Sequence, residues 1–180
     1  LAPGVDMHII KVFNDAGYGY SSDLAKAIDL CGAAGANIIN MSLGGGAANS
    51  TEENAITNFV NNGGLVAVAA GNDGNTTRSY PAGYEASMMV GGVNKDDAKY
   101  AASQYPSCTQ TTGRGKNQTT TTNERICVEI SGGGEAVLST VPAGTGASAA
   151  LTVDGNAVST ASTSNTGNVT ATTYFMGTAE

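Results

Sequence analysis

The residues with the clearest chemical potential lie in the segment Ala69-Ala70-Gly71-Asn72-Asp73-Gly74, which ends an apolar run. An asparagine on a glycine-flanked turn after a buried strand can direct its amide at a bound carbonyl oxygen. Negative charge develops on that oxygen during acyl transfer, and a fixed donor such as Asn72 stabilises it. Asn-Asp-Gly is also a common turn sequence, so an ordinary turn is the alternative interpretation.

Two glycine-rich segments have a composition that is typical of loops whose backbone contacts a ligand. Gly44-Gly45-Gly46 follows the apolar run that ends at Leu43, and glycines there let another backbone approach closely. They are interpreted either as a wall of a peptide groove or as a phosphate loop of a dinucleotide-binding domain, although the third glycine of the dinucleotide fingerprint is missing. Gly17-Tyr18-Gly19 is either an exposed edge to which a peptide adds as a strand or an ordinary loop.

The single histidine, His8, lies among Met7, Ile9 and Ile10 in a run predicted to be a buried strand. A Ser-His-Asp triad needs an imidazole beside the nucleophile. His8 is therefore interpreted as a structural side chain, and the chain provides no second histidine for a triad.

The elements that position these residues alternate between strands and helices. The strands are apolar throughout, which is typical of a parallel sheet covered on both faces, and such sheets bind ligands at the carboxyl ends of their strands. Ser21 or Ser22 is predicted to cap the first helix, and a capping box of Ser50 and Glu53 to open the second. The predicted strands are Met7–Phe13, Ile38–Leu43, Leu65–Ala70 and Met88–Val93, and the predicted helices run over 21–34 and from Ser50 to about Gly63.

Composition excludes several classes of function. Of the 180 residues only 8 are Lys or Arg, and the net charge is -7, so the chain lacks the basic surface that nucleic acid requires. No apolar run is long enough to span a membrane, and nothing in the sequence indicates an oligomeric state. Cys108 and Cys127 bracket a Thr-rich segment and can form a disulfide, as in a secreted protein, whereas Cys31 lies in a helical pattern as a buried apolar residue.

The composition changes near Pro142, after which Ala, Thr, Ser, Gly and Asn dominate. We therefore predict a domain boundary there, with residues 1–142 as one unit and residues 143–180 as the start of a β-rich one. The sequence around Asp154-Gly155 predicts a hairpin.

Six segments are informative when they are taken together, namely Lys11–Phe13 with Gly17–Gly19, Gly35–Gly44, Val66–Gly74, Tyr80–Ala82, Val90–Val93, and Glu129–Ser131 followed by Leu138–Pro142. In their order and approximate spacing, these segments resemble the subtilisin-like serine proteases (subtilases). The resemblance implies a three-layer α/β fold with a mainly parallel sheet and helices on both faces, here incomplete.

By the same resemblance, Asn72 corresponds to the asparagine of the oxyanion hole. Ser42-Leu43-Gly44 and Ala69-Ala70-Gly71 correspond to the two walls of the pocket for the side chain before the cleaved bond, and Gly17-Tyr18-Gly19 to the edge that pairs with the substrate backbone. His8 corresponds to no catalytic position. The family often binds calcium, and a weak site would use the carbonyls of Ala82 and Tyr84 with the Glu129 carboxylate, although an ordinary charge at a strand end is the alternative for Glu129.

The family's nucleophile motif, Gly-Thr-Ser-Met-Ala, is absent, and Gly177-Thr178-Ala179 matches it only superficially. The usual Ala-Pro-Gly after the strand at Ile130 is replaced by Gly132-Gly133-Gly134. The segment after Pro142 resembles the start of an inserted protease-associated domain.

The resemblance implies that this chain is part of a secreted serine endopeptidase that hydrolyses polypeptides. It would supply the substrate groove and the oxyanion-hole asparagine, with the catalytic Asp, His and Ser outside the chain, so that the chain alone would be inactive. Two alternatives remain: a peptide-binding module without a triad, and a dinucleotide-binding domain.

Overall fold

The described part of the computed structural model comprises residues 4–14 and 16–135, together with the backbone of 151–153 and 156–158. Two α-helices alternate with the first strands, and two short 3-10 turns lie at Gly115–Asn117 and Glu124–Ile126. The helices are α1 (Ser21–Ala33) and α2 (Ser50–Asn61), and the strands are β1 (Ile38–Met41), β2 (Leu65–Ala69), β3 (Met88–Val93), β4 (Thr109–Thr112), β5 (Thr119–Thr122), β6 (Ile130–Gly133), β7 (Leu151–Val153) and β8 (Asn156–Val158).

The main sheet has the strand order β1-β2-β3-β6, and all its neighbouring strands are parallel. Ile39 pairs with Val66, and Met41 pairs with Val68. The carboxyl ends of β1 and β2 therefore lie side by side, as the apolar pattern of the strands predicts. The α/β class with a mainly parallel sheet is confirmed.

The hydrophobic core lies between one face of this sheet and the two helices. Ile28 of α1 and Ile56 of α2 are buried together with Val66, Val68 and Met89 of the strands. Because all of these residues belong to one cluster, both helices cover the same face of the sheet. Neither helix in the described ranges has the length and apolar character needed to cross a bilayer.

The opposite face of the sheet is open over the described residues. Ile38 and Leu65, which pair across β1 and β2, are 65% and 42% exposed, and Ile130 on β6 is 53% exposed. Side chains alternate between the two faces of a strand, so these residues point away from the helices. The helices predicted for this second face are not among the described residues.

The helix starts differ from the predictions. Tyr20 is the N-cap of α1 and makes no side-chain capping bond, so neither Ser21 nor Ser22 caps this helix. Asn49, one residue earlier than predicted, caps α2, and its Oδ1 accepts hydrogen bonds from the main-chain N–H groups of Thr51 and Glu52 at 2.9 and 3.3 Å. The capping box is thus replaced by an asparagine cap, which has similar capping strength.

The strand predicted for Met7–Phe13 is wrong. The segment is not assigned to a strand, and it lies beside α1 and β1 across a cavity of about 1050 Å³. Met7 and Ile9 are 79% and 82% exposed, and His8 is exposed as well, so His8 is not the buried structural residue that the pattern predicts. The apolar pattern predicts a buried strand, but no segment among the described residues pairs with this backbone as a strand.

The predicted disulfide between Cys108 and Cys127 is present. The polar segment that it brackets contains the antiparallel pair β4–β5. Cys31 is a free cysteine that is only partly buried against the core. Strands β7 and β8 pair antiparallel on either side of the predicted Asp154-Gly155 turn, whereas the boundary at Pro142 lies outside the described residues.

Replacing Ile56 with alanine should destabilise the fold by about 2–5 kcal/mol, because Ile56 is 0% exposed and its loss leaves a cavity between α2 and the sheet. Urea unfolding followed by circular dichroism measures this change. The matched control is Leu30→Ala on α1, where the side chain is 47% exposed, and it should change the free energy of unfolding by less than about 0.5 kcal/mol. Equal losses in the two variants would contradict the assigned core.

Candidate functional site

The loop after β1 is fixed by backbone hydrogen bonds to a neighbouring segment. Gly45 N donates to the Tyr80 carbonyl at 2.7 Å, and Tyr80 N donates back to the Gly45 carbonyl at 2.9 Å. The Ser79 hydroxyl donates to the same Gly45 carbonyl at 3.2 Å. A Cβ on Gly44 would lie 2.7 Å from Ser79 Oγ. Glycine at position 44 therefore lets the two segments approach closely.

The loop that carries Asn72 is fixed by a segment after β3. Gln104, which is 3% exposed, donates its main-chain N–H to the Gly71 carbonyl at 2.9 Å and its side-chain amide to the Thr77 carbonyl at 2.6 Å. Gly74 N also donates to the Ala102 carbonyl at 2.7 Å. These bonds hold the turn on both sides of Asn72, so the position of its side chain is set by tertiary contacts.

These two loops enclose a cavity of about 280 Å³, which we call the Asn72 pocket. Its lining contains Asn72 itself and backbone from both walls. The structure thus brings together five residues singled out from the sequence, namely Leu43, Gly44, Ala69, Gly71 and Asn72. Ser42 is exposed and its hydroxyl accepts a hydrogen bond from the Asn40 amide at 3.4 Å, while Ala70 is fully buried, and neither residue lines this pocket.

A second, smaller cavity of about 110 Å³ lies on the other side of the Leu43–Gly45 wall, and we call it the Glu52 pocket. Gly19 forms part of its rim, and Glu52 lines it although this side chain is only 5% exposed. The remaining lining is mostly apolar, from Val12, Phe13, Leu24, Ala47, Tyr80 and Pro81, with Tyr20 and Ser21.

The Gly17–Gly19 segment forms an exposed turn. Asn14 N donates to the Tyr18 carbonyl at 2.9 Å, and Asn14 Oδ1 accepts from Tyr18 N at 3.0 Å. Gly17 has a φ of +79°, a conformation that favours glycine, and Tyr18 is 75% exposed. Gly17 and Tyr18 line neither of the two pockets, so of the predicted edge only Gly19 meets a cavity.

The candidate calcium ligands lie in two places: Ala82 and Tyr84 in the segment before β3, and Glu129 directly before β6. Ala82 and Tyr84 are buried, whereas Glu129 is exposed. The Tyr84 carbonyl already accepts a hydrogen bond from Ser87 N at 3.0 Å, and Glu129 N donates to the Met89 carbonyl at 3.0 Å. Within the described ranges no three His, Cys, Asp or Glu side chains cluster as metal ligands. The donors are oxygen atoms, which suit a hard cation, but they provide a single carboxylate.

Burial raises the pKa of the Tyr84 phenol to about 12, although its hydrogen bond with the Asn49 backbone lowers it; the carboxylates of Glu52 and Glu53 raise it further. The phenol therefore remains protonated at neutral pH. It accepts from Asn49 N at 2.7 Å and donates to the Asn49 carbonyl at 3.1 Å, which ties the start of α2 to the segment before β3.

Two residues of these cavities were not found from the sequence. Gln104 belongs to no recognisable motif, and only its contacts with Gly71 and Thr77 show that it fixes the Asn72 loop. Glu52 lies between Ser50 and Glu53 of the predicted capping box, and its sequence context is that of an ordinary acidic residue in a first helical turn. Its burial depends on Tyr80, Pro81 and Tyr84, which are about 30 residues away along the chain.

Replacing Gly71 with alanine should destabilise the protein by about 1–3 kcal/mol, because position 71 has a φ of +108° and a Cβ there would collide with Gln104 Oε1. Thermal and urea unfolding measure the change. Gly46→Ala is the matched control, since no heavy atom lies within 4 Å of a Cβ at that position. If Gly71→Ala is as stable as the control, the Gln104 contact does not constrain this loop.

The chain matches one family model and is similar to several known proteins. A family model described as "Subtilase family" matches residues 1–178. Subtilisin Savinase of Lederbergia lenta is 33% identical over 105 residues, which cover 58% of this chain and 39% of that protein. Thermitase of Thermoactinomyces vulgaris is 35% identical over 106 residues, which cover 59% of this chain and 38% of that protein. The chain thus spans about two fifths of the length of these relatives.

The chain is also similar to solved structures. The psychrophilic subtilisin-like protease Apa1 of Pseudoalteromonas sp. AS-11 superposes with a TM-score of 0.64 and 44% identity, covering 83% of this chain and 30% of that one. A cold-adapted subtilisin-like serine proteinase superposes with a TM-score of 0.56 at 23% identity, which supports the fold.

Proposed function

Because this chain belongs to the subtilase family, we propose that it is part of a secreted serine endopeptidase that hydrolyses peptide bonds in proteins. The observation that carries this proposal is the Asn72 pocket, in which an asparagine amide shares a cavity with the backbone of both proposed groove walls. Family membership also argues against the dinucleotide hypothesis, which rested on the alternation of strands and helices and on the Gly44–Gly46 cluster.

In this proposal the chain holds the substrate and stabilises charge. A polypeptide would lie extended against Gly17–Gly19, Ser42–Gly44 and Ala69–Gly71, with one side chain in the Asn72 pocket. As a serine attacks the scissile carbonyl, negative charge would collect on the carbonyl oxygen, and the Asn72 amide would donate a hydrogen bond to it. We propose that the Gln104 contacts hold this donor in place before the substrate binds. The donor would then lose little conformational freedom during the reaction.

The nucleophile and the base of this reaction would come from outside the 180 residues. The only histidine, His8, is exposed on the 5–12 segment and matches no catalytic position of the family. We therefore propose that this chain alone is inactive.

A second candidate is a peptide-binding module that retains the groove without a triad. The same pockets support it, because they would hold a peptide whether or not a nucleophile is present. Intact Asp, His and Ser motifs in the complete reading frame would favour the enzyme over this candidate.

Secretion is supported by the Cys108–Cys127 disulfide, since such bonds form and persist in oxidising compartments. The net charge of -7 argues against nucleic acid as a partner. We keep residues 143–180 as the proposed start of an inserted protease-associated domain.

Asn72→Ala in the complete protein should lower kcat by about 10²–10³-fold, a magnitude that comes from subtilisin itself, and should change KM much less. The loss arises because the donor acts mainly on charge present in the transition state. Steady-state hydrolysis of a chromogenic peptide measures both constants. Asn61→Ala, an exposed position at the end of α2, is the control. An unchanged kcat would remove Asn72 from the mechanism, and cleavage of casein by the 180-residue chain alone would contradict its proposed inactivity.

Calcium at Ala82, Tyr84 and Glu129 remains a proposal, supported by the oxygen character of these donors. Millimolar CaCl2 should raise the Tm relative to EGTA, because an ion that binds only the folded state stabilises it. Glu129→Gln should abolish that increase by removing the carboxylate, whereas Glu124→Gln should retain it. A Tm that does not respond to calcium, or an increase that survives Glu129→Gln, would rule out this site.

A further inference from the structure

Arg78 lines the Asn72 pocket, but its guanidinium group bonds to residues that do not line that pocket. Its Nε donates to the Ile126 carbonyl and its Nη2 to the Ser107 carbonyl, both at 2.9 Å. These acceptors are 48 and 29 residues away along the chain. A guanidinium group is planar and carries its donors in a fixed fork, so it holds two acceptors in one geometry. Arg78 therefore connects the pocket to a distant part of the chain.

The two acceptor carbonyls belong to segments that are joined covalently. Ser107 directly precedes Cys108, Ile126 directly precedes Cys127, and these two cysteines form the disulfide. We call these four residues the hairpin base, since the β4–β5 hairpin lies between them. Because the disulfide limits how far the two segments can separate, it also limits the separation of the two carbonyls that Arg78 bonds.

The aliphatic stem of Arg78 is fixed by packing. A Cβ on Gly83 would collide with Cγ of Arg78, so the stem lies directly against this glycine. Gly83 N also donates to the Ser79 carbonyl at 2.8 Å. Arg78 is half-buried among these contacts. A displacement of its guanidinium group would therefore be passed to the backbone of Arg78 and Ser79.

The segment 78–80 contacts the loop after β1, which forms the other side of the pocket. Ser79 lines the pocket beside Arg78, and its hydroxyl donates to the Gly45 carbonyl at 3.2 Å. Tyr80 exchanges two backbone hydrogen bonds with Gly45, at 2.7 and 2.9 Å. The position of Arg78 therefore affects both the segment 78–80 and the loop that carries Gly44 and Gly45.

We propose that Arg78 is a positioning residue through which the Cys108–Cys127 disulfide keeps the Asn72 pocket in the shape that binds substrate. The inference rests on the proposed function, because it concerns how the same groove holds its polypeptide. Arg78 does not act on the scissile carbonyl in this proposal. It contributes to substrate binding in the ground state and in the transition state alike, and such a contribution changes KM rather than kcat.

The first test removes the donors of Arg78 but keeps an unbranched stem. Arg78→Met in the complete protein should raise KM for a chromogenic peptide by about 10-fold, the value of one hydrogen bond that a charged group makes, and should change kcat by less than about twofold. The matched control is Arg125→Met. Arg125 adjoins the hairpin base and its Nε donates to the Glu85 carbonyl at 3.0 Å, but it does not line the Asn72 pocket. This control should keep the wild-type KM.

The second test asks whether the disulfide acts through Arg78. Replacing Cys108 and Cys127 together with serine should raise KM by a similar factor when Arg78 is present. In the Arg78→Met background the same pair of substitutions should change KM by less than about twofold, because the connection is already broken. Such non-additivity is expected of groups in one hydrogen-bond network. If the two effects multiply instead, the disulfide does not act through Arg78 and the proposal is overturned.

Hydrogen exchange of the complete protein distinguishes this proposal from a purely structural role and from the peptidase proposal. Relative to the amides of β2, the Tyr80 and Gly45 amides should exchange faster in Arg78→Met and not in Arg125→Met. A purely structural role would lower the Tm and the active fraction, with KM and the exchange at Tyr80 equal in both arginine variants, and would overturn the proposal. If the protein cleaves no peptide but exchange at Tyr80 still depends on Arg78, the peptidase proposal fails and the positioning role stands. The two arginine variants decide the outcome even if the variant without the disulfide does not fold.

Discussion

Parallel pairing of β1 with β2, with Ile39 opposite Val66 and Met41 opposite Val68, brings the carboxyl ends of two strands to one edge of the sheet. The loops that leave these ends, 42–46 and 70–74, can then face each other across a cavity. The pairing in turn depends on the core, because the buried faces of both strands pack against α1 and α2. A register shift of one residue would turn Val66 and Val68 toward the open face and separate the two loops.

Each loop is also held by hydrogen bonds to a segment outside its own strand. The 79–80 segment bonds the backbone of Gly45, and Gln104 bonds the backbone of Gly71 and Thr77. A Cβ at position 44 would meet Ser79 Oγ, and a Cβ at position 71, where φ is +108°, would meet Gln104 Oε1. Hydrogen-bond donors that are fixed before a substrate arrives lose little conformational freedom when they act. These packing contacts would therefore hold the Asn72 donor in place for the proposed chemistry.

The two pockets share one wall but differ in character. The lining of the Asn72 pocket contains several glycines together with polar and charged residues such as Asp73 and Arg78, whereas the Glu52 pocket combines a mostly apolar lining with a buried carboxylate. The difference arises at the start of α2, where Asn49 caps the helix and the buried Glu52 lines a pocket together with Tyr80 and Pro81.

The sequence by itself determined the local features: the apolar strands of the sheet, the extents of α1 and α2 to within a few residues, the Cys108–Cys127 pair and the family motif around Asn72. These depend on periodicity and spacing, which are local properties. Only the tertiary structure decided that most of Met7–Phe13 is exposed, that Gln104 holds the Asn72 loop and that Glu52 is buried. Those outcomes depend on contacts between residues up to about 30 positions apart, and neither composition nor periodicity records which distant segment will cover a given side chain.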